Sequence, residues 1–279
     1  MTISDIYSRI SSLKLHARNL VEGLLSGQHR SRHRGASVEF AEYKDYSPGD
    51  DIRHIDWKVV GKTDKYHIKQ FEQSTNLKCH ILLDASGSMG YQSASNDGKS
   101  NGNKMDYART LVSALSYLLL KQFDAVGLIA FNDHVVNRIP PRSKPSHLQN
   151  ILNCVASLEP QGNTLIDKII SGAVESLPGR SMLIIVSDLL TDKESTINSL
   201  KLLHARGMEL ILFHIHHPDE MNLPFEGDIL FESLEDDPAI TLDPLDIRKM
   251  YQNIMLERIE FYRKNCAALG IDYMFLETT

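Results

Sequence analysis

Oxygen-bearing side chains at alternate positions, directly after an apolar run, are the feature of this sequence closest to chemistry. The run Cys79–Leu83 ends in Asp84-Ala85-Ser86-Gly87-Ser88. On a tight loop alternate residues face the same way, so Ser86 and Ser88 can converge with Asp84, while Gly87 and Gly90 let the backbone turn closely. Two other segments deliver similar groups. Leu183-Ile184-Ile185-Val186 leads to Asp188, and Gln161-Gly162-Asn163-Thr164 precedes a helical pattern that begins at Leu165. Asp84, Ser86, Ser88, Thr164 and Asp188 together offer two carboxylates and three hydroxyls, with no His and no Cys. These are hard donors that suit Mg²⁺, or another divalent cation such as Mn²⁺ or Ca²⁺. Zinc prefers His and Cys and is disfavoured. The plainer alternative is that strand-end carboxylates cap the helix or turn that follows.

Such a set needs elements that bring strand ends to one edge. Strands alternate with helices from residue 79 onward, the pattern of an α/β fold with a mostly parallel sheet flanked by helices. The apolar spacing predicts strands at 79–83, 125–131, 181–187, 209–215, 229–234 and 271–276, with 135–139 as a hairpin mate of 125–131. It predicts helices at 105–122, 145–157, 165–177, 194–205 and 245–268. In an open parallel sheet ligands bind beyond the carboxyl ends of the strands, which is where the oxygen donors fall. Upstream, residues 3–25 read as an amphipathic helix, and 37–47 and 65–72 read as extended. The domain division expected is therefore 1–76, an N-terminal helix and extended β region, and 77–279, the α/β domain. Residues 91–103 are rich in Ser, Asn and Gly, and read as a mobile loop beside the Asp84 loop that could act as a flap over it.

Composition narrows the classes. The chain has 279 residues, long enough to bury a full core without disulfide staples. Its 30 basic and 36 acidic residues give a net charge of -6, which argues against a general nucleic-acid binder. The three cysteines, Cys79, Cys154 and Cys266, are far apart and read as small buried thiols of a reducing compartment. No signal peptide or membrane-length apolar run is evident, so a cytoplasmic location is expected. The basic run Gln28–Gly35 reads as a solvated loop, with phosphate or nucleic-acid binding as the sharper alternative. His214, His216 and His217 read as structural, and Glu235-Asp236-Asp237 as a solvated loop or a docking surface for a basic partner.

The Asp84-x-Ser86-x-Ser88 loop, followed by Thr164 and Asp188 in order, resembles the metal-ion-dependent adhesion site of von Willebrand factor A-like domains. That resemblance implies that Ser86 and Ser88 ligate the metal directly. Thr164 would bind directly or through water, and Asp84 and Asp188 mainly through water, leaving one position for an acidic residue of a partner. The family often has Gly after the last Asp, where this chain has Leu189. The stretches Gly35–Phe40 and Tyr46–Lys58, with Phe71-Glu72, resemble a bacterial family of unknown function encoded beside MoxR-type AAA+ ATPases. By that likeness the protein is an adaptor or co-chaperone of such an ATPase, acting on client protein complexes, and not an enzyme.

A competing reading is a Mg²⁺-dependent phosphohydrolase with Asp84 as nucleophile. It lacks a second acid two residues on, where Ser86 stands, and a clear phosphate-clamping Lys. A serine hydrolase has no GxSxG to support it, and the absence of a P-loop argues that the chain is not itself the ATPase.

Overall fold

The computed structural model describes residues 36–45, 60–61, 66–75, 77–93, 103–178, 181–235 and 239–278. The helix expected over 3–25, the basic run at 28–35, the 48–58 stretch and most of the polar loop at 91–103 lie outside them. Strands β1 (Ala36–Asp45) and β2 (His67–Thr75) pair antiparallel with each other, with a bulge between Phe40 and Glu42.

Six strands make the main sheet: β3 (Lys78–Asp84), β4 (Ala125–Phe131), β5 (Val135–Arg142), β6 (Met182–Ser187), β7 (Glu209–His216) and β10 (Asp272–Glu277), in the order β10-β7-β6-β3-β4-β5. All neighbours are parallel except β4 and β5, which form the expected antiparallel hairpin. The expected fold class holds: a mixed α/β chain with a mostly parallel sheet between helices. A short hairpin, β8 (Ile229–Glu232) and β9 (Ala239–Leu242), forms a separate two-stranded sheet.

The period-two alternation of β3 explains the layering. Cys79, Ile81 and Leu83 join one core beneath helices α1 (Lys104–Lys121) and α2 (His147–Ser157). Leu82, with Leu183 and Ile185 of β6, joins the opposite core beneath α3 (Ile166–Ser176), α4 (Lys193–Ala205) and α6 (Pro244–Leu269). Polar caps set where these helices begin. The Asn103 side chain accepts from the Asp106 amide at 2.6 Å, and the Asp192 side chain accepts from Ser195 at 2.7 Å. Asp243 caps α6 with Pro244 in its first turn, and Gly270, at φ 69°, ends it. One short helix, α5 (Pro218–Asn222), and strand β9 are additions to the sequence reading.

Strand order fixes where a ligand would sit. From β3 the chain moves to β4 and β5 on one side, then crosses back to β6 on the other. The crossing puts the carboxyl ends of β3 and β6 at the switch point of the sheet, the place where open parallel sheets bind ligands. Asp84 closes β3 and Asp188 directly follows β6.

Candidate metal centre

Asp84 is fully buried, and both its oxygens are engaged. Oδ1 accepts the Ser86 amide at 3.0 Å, and Oδ2 accepts the Ser187 hydroxyl at 2.6 Å. The chain then enters a single 3-10 turn, Gly87–Gly90, which brings the Ser86 and Ser88 hydroxyl oxygens to 3.1 Å from each other. The expected convergence of alternate side chains on this loop is therefore present. The Ser88 side chain also bonds Asp188, which joins the β3 and β6 ends.

Thr164 stands on the loop between α2 and α3. That loop is stitched to the serine loop by backbone bonds, from Gly87 N to Gly162 O at 2.8 Å and from Gln161 N to Ala85 O at 3.0 Å. Gly162 sits at φ 73°, in the left-handed region that favours glycine. Asn132, after β4, donates its side-chain amide to Gln161 O at 2.9 Å and holds the loop from the other side. Of the five predicted residues, Asp84, Ser86, Ser88 and Asp188 are in mutual contact or charge range, whereas the Thr164 hydroxyl donates to Glu235 Oε1 at 3.3 Å.

Four further residues join this network, and the sequence reading missed three of them. Lys104, the first residue of α1, is fully buried. Its Nζ lies 2.7 Å from Asp188 Oδ2 and 2.5 Å from Glu220 Oε1. Glu220 in turn accepts the His217 amide at 2.8 Å, completing a capping box at the start of α5. Ser187 takes the Leu189 amide at 3.0 Å while donating to Asp84, so one hydroxyl ties the β6 end to the β3 end. The fourth, Glu235, corrects an expectation. It is half-buried against Thr164 and is no solvated loop acid, while its neighbours 236–237 lie outside the described residues.

Electrostatics separates the two site carboxylates. Burial, then repulsion from Asp188, pushes the Asp84 carboxyl up to about 7. Burial pushes Asp188 the same way, but the Lys104 charge and hydrogen bond outweigh it and hold Asp188 below the ordinary range. The Lys104 ammonium is likewise held protonated against burial by Asp188 and Glu220. His214 is driven well below its usual value by burial and then by His216, so it is neutral. It contacts the Asp188 carbonyl through Nε2 at 2.9 Å and the Tyr273 hydroxyl through Nδ1 at 2.7 Å. That is the structural role expected of it.

The residue set fits a hard divalent cation. Two buried carboxylates repel each other across a pair of close hydroxyls, and a cation there would relieve that repulsion. Among the described residues no group of three or more His, Cys, Asp or Glu side chains forms a metal-holding cluster, so the hydroxyls must carry much of any coordination. Among the same residues, no helix is long and apolar enough to cross a membrane.

Comparison with known proteins places the chain. An uncharacterized protein of Mycobacterium tuberculosis is 26% identical over 232 residues, spanning 81% of this chain and 70% of that one. Among solved structures, the conserved hypothetical protein BatB from Bacteroides thetaiotaomicron is similar at 18% identity and a TM-score of 0.46, covering 73% of this chain and 91% of its own. An aerotolerance-related membrane protein from Bacteroides fragilis is similar at 20% identity and a TM-score of 0.44, covering 72% and 91%. The model of the family described as protein of unknown function DUF58 matches residues 42–259, and the chain belongs to that family.

Proposed function

We propose that this protein is an interaction module that holds a divalent cation, Mg²⁺ by donor type with Mn²⁺ or Ca²⁺ also suited, and engages an acidic side chain of its partner through it. Ser86, Ser88 and Thr164 would supply hydroxyl ligands, and Asp84 and Asp188 would act through water. One observation carries the reading. Two serine hydroxyls 3.1 Å apart stand between two buried, mutually repelling carboxylates at the switch point of a parallel sheet. The cation supplies an electrophilic centre for a carboxylate, and the chain's residues position and partly neutralise it. By family resemblance the partners are a MoxR-type AAA+ ATPase and its client complex, with the protein as adaptor in the cytoplasm.

A phosphohydrolase with Asp84 as nucleophile is the other reading, and Lys104 supplies the buried cation that the sequence did not offer it. Two contacts weigh against it. The ammonium is enclosed by Asp188 and Glu220, and both Asp84 oxygens already accept hydrogen bonds.

Thermal unfolding of metal-stripped protein with and without Mg²⁺ tests the proposal. A ligand at a hundred times its dissociation constant stabilises the folded state by about 2.7 kcal/mol. At about 2–4 °C per kcal/mol, the expected rise in Tm is roughly 5–10 °C in wild type and none in Asp84→Ala. An equal rise in both proteins would place the cation elsewhere. Release of phosphate from an aryl phosphate, lost in Asp84→Asn, would favour the enzyme instead.

A further inference from the structure

The segment that follows β8 lies directly over the serine loop. A Cβ built on Gly87 would come within 2.0 Å of the Leu234 carbonyl oxygen, so the backbone of 234 rests flush on the turn between the two serines. Glycine at 87 is what permits that approach. The next residue reaches Thr164. Glu235 Oε1 accepts the Thr164 hydroxyl at 3.3 Å, and Oε2 accepts the Thr164 amide at 3.4 Å. Glu235 N donates to Ser233 Oγ at 3.2 Å, which turns the segment inward.

We propose that Glu235 is the site's own acidic ligand. It holds, beside Thr164, the place that a partner's carboxylate would take on the cation, so a partner binds by exchanging its carboxylate for this one. The inference rests on the metal-site reading above and names how that site is regulated.

Three features favour exchange over a fixed structural contact. Both contacts, at 3.3 and 3.4 Å, are longer than ordinary hydrogen bonds of their kind, so breaking them costs little. The β8–β9 hairpin is paired with itself and not with the main sheet, so it can lift without breaking the six-stranded ladder. Leu234 is 53% exposed, so its side chain leaves little apolar contact to lose. The ligand type is also right. A Glu carboxylate presents to a hard cation the same oxygen chemistry as an incoming Asp or Glu.

The test is a Mn²⁺ titration of the full chain followed by water-proton relaxation, with wild type, Glu235→Gln and Ser86→Ala. Loss of one anionic ligand should weaken Mn²⁺ binding about tenfold in Glu235→Gln. It should also raise the relaxation per bound ion, because water fills the vacated position. Added acetate should reverse that rise in the variant and leave wild type nearly unchanged. Ser86→Ala should lose binding. Binding by Glu235→Gln but not by wild type would overturn the inference, because Glu235 would then block the site and not ligate the cation. Equal affinity and relaxation in wild type and Glu235→Gln, with Ser86→Ala inactive, would overturn it while leaving the metal site standing. No binding by wild type or Glu235→Gln, or binding that survives Ser86→Ala, would overturn both readings together.

Discussion

Asp84 is where the cost of the site is concentrated. Its carboxyl titrates near 3.8 when the chain is unfolded and is pushed up to about 7 by burial and by Asp188 when folded. The folded state then holds a proton that the unfolded state has lost, so stability of the metal-free protein falls as pH rises from about 4 to about 7. Each pH unit across that window costs at most about 1.36 kcal/mol, so the loss is on the order of 2–4 kcal/mol. Denaturant unfolding in chelator should show that decline in wild type and a flatter profile in Asp84→Asn. Asparagine keeps an acceptor for the Ser86 amide and removes the charge. An unchanged slope in the variant would assign the effect to another group. Leu189 presents a second residue-level conflict. It sits at φ 53°, in the left-handed region, at the position where the adhesion-site pattern often has Gly, and it is fully buried. Glycine there would relieve about 1–2 kcal/mol of backbone strain, but removing a buried leucine side chain costs about 2–5 kcal/mol. Packing outweighs strain, so Leu189→Gly should lower stability by roughly 1–3 kcal/mol, and a rise in Tm would reverse that ranking. The departure from Gly was legible in the sequence. Its backbone consequence was not, because φ at one residue leaves no trace in residue type when packing selects for leucine.

Between elements, Lys104 is the tie. Its ammonium joins the first turn of α1 to the end of β6 through Asp188 and to α5 through Glu220, and the side chain is wholly buried. Lys104→Met would leave the buried Asp188 carboxylate, and the partly exposed Glu220 beside it, without their lysine. Breaking a buried ion pair from one side costs about 3–5 kcal/mol. The expected result is a fall of that size in unfolding free energy, partly recovered by adding Glu220→Gln. A loss below about 1 kcal/mol, or no recovery in the double variant, would mean that water or protonation already neutralises the acids. This tie shows what the sequence could and could not reveal. The strands β3, β6 and β7 were legible as apolar runs, and their ends delivered Asp84, Ser86, Ser88 and Asp188 to one edge, because strand ends in a parallel sheet share an edge by construction. The partners Lys104 and Glu220 lie 84 residues before Asp188 and 116 residues after Lys104, respectively, and Thr164 meets Glu235 across 71. Contacts at those separations have no periodicity to announce them. Strand β9 escaped for a simpler reason, since four residues carry too short a pattern to separate from loop.

Among the described residues from 77 onward, a rigid sheet carries a light attachment over the carboxyl ends of its strands. Strands β3, β6 and β7 are almost wholly buried between two apolar layers, and their neighbours hydrogen-bond on both sides. Their amides should exchange with solvent only through global unfolding. Residues 229–242 are different. The side chains of Leu230 and Ile240 are more than half exposed, and β8 pairs with β9 alone. That hairpin should open locally, with a free energy well below the global value. The two parts meet where Leu234 and Glu235 rest on Gly87 and Thr164, so a cation bound there would connect them. Hydrogen exchange read by mass spectrometry should therefore show fast exchange across β8–β9 in chelator, slowed at least severalfold by saturating Mg²⁺, while β3 and β6 barely respond. In Glu235→Gln the cation should no longer slow the hairpin, although it should still raise Tm. A uniform response of sheet and hairpin would mean that the ion stabilises the fold as a whole and does not act on the hairpin in particular.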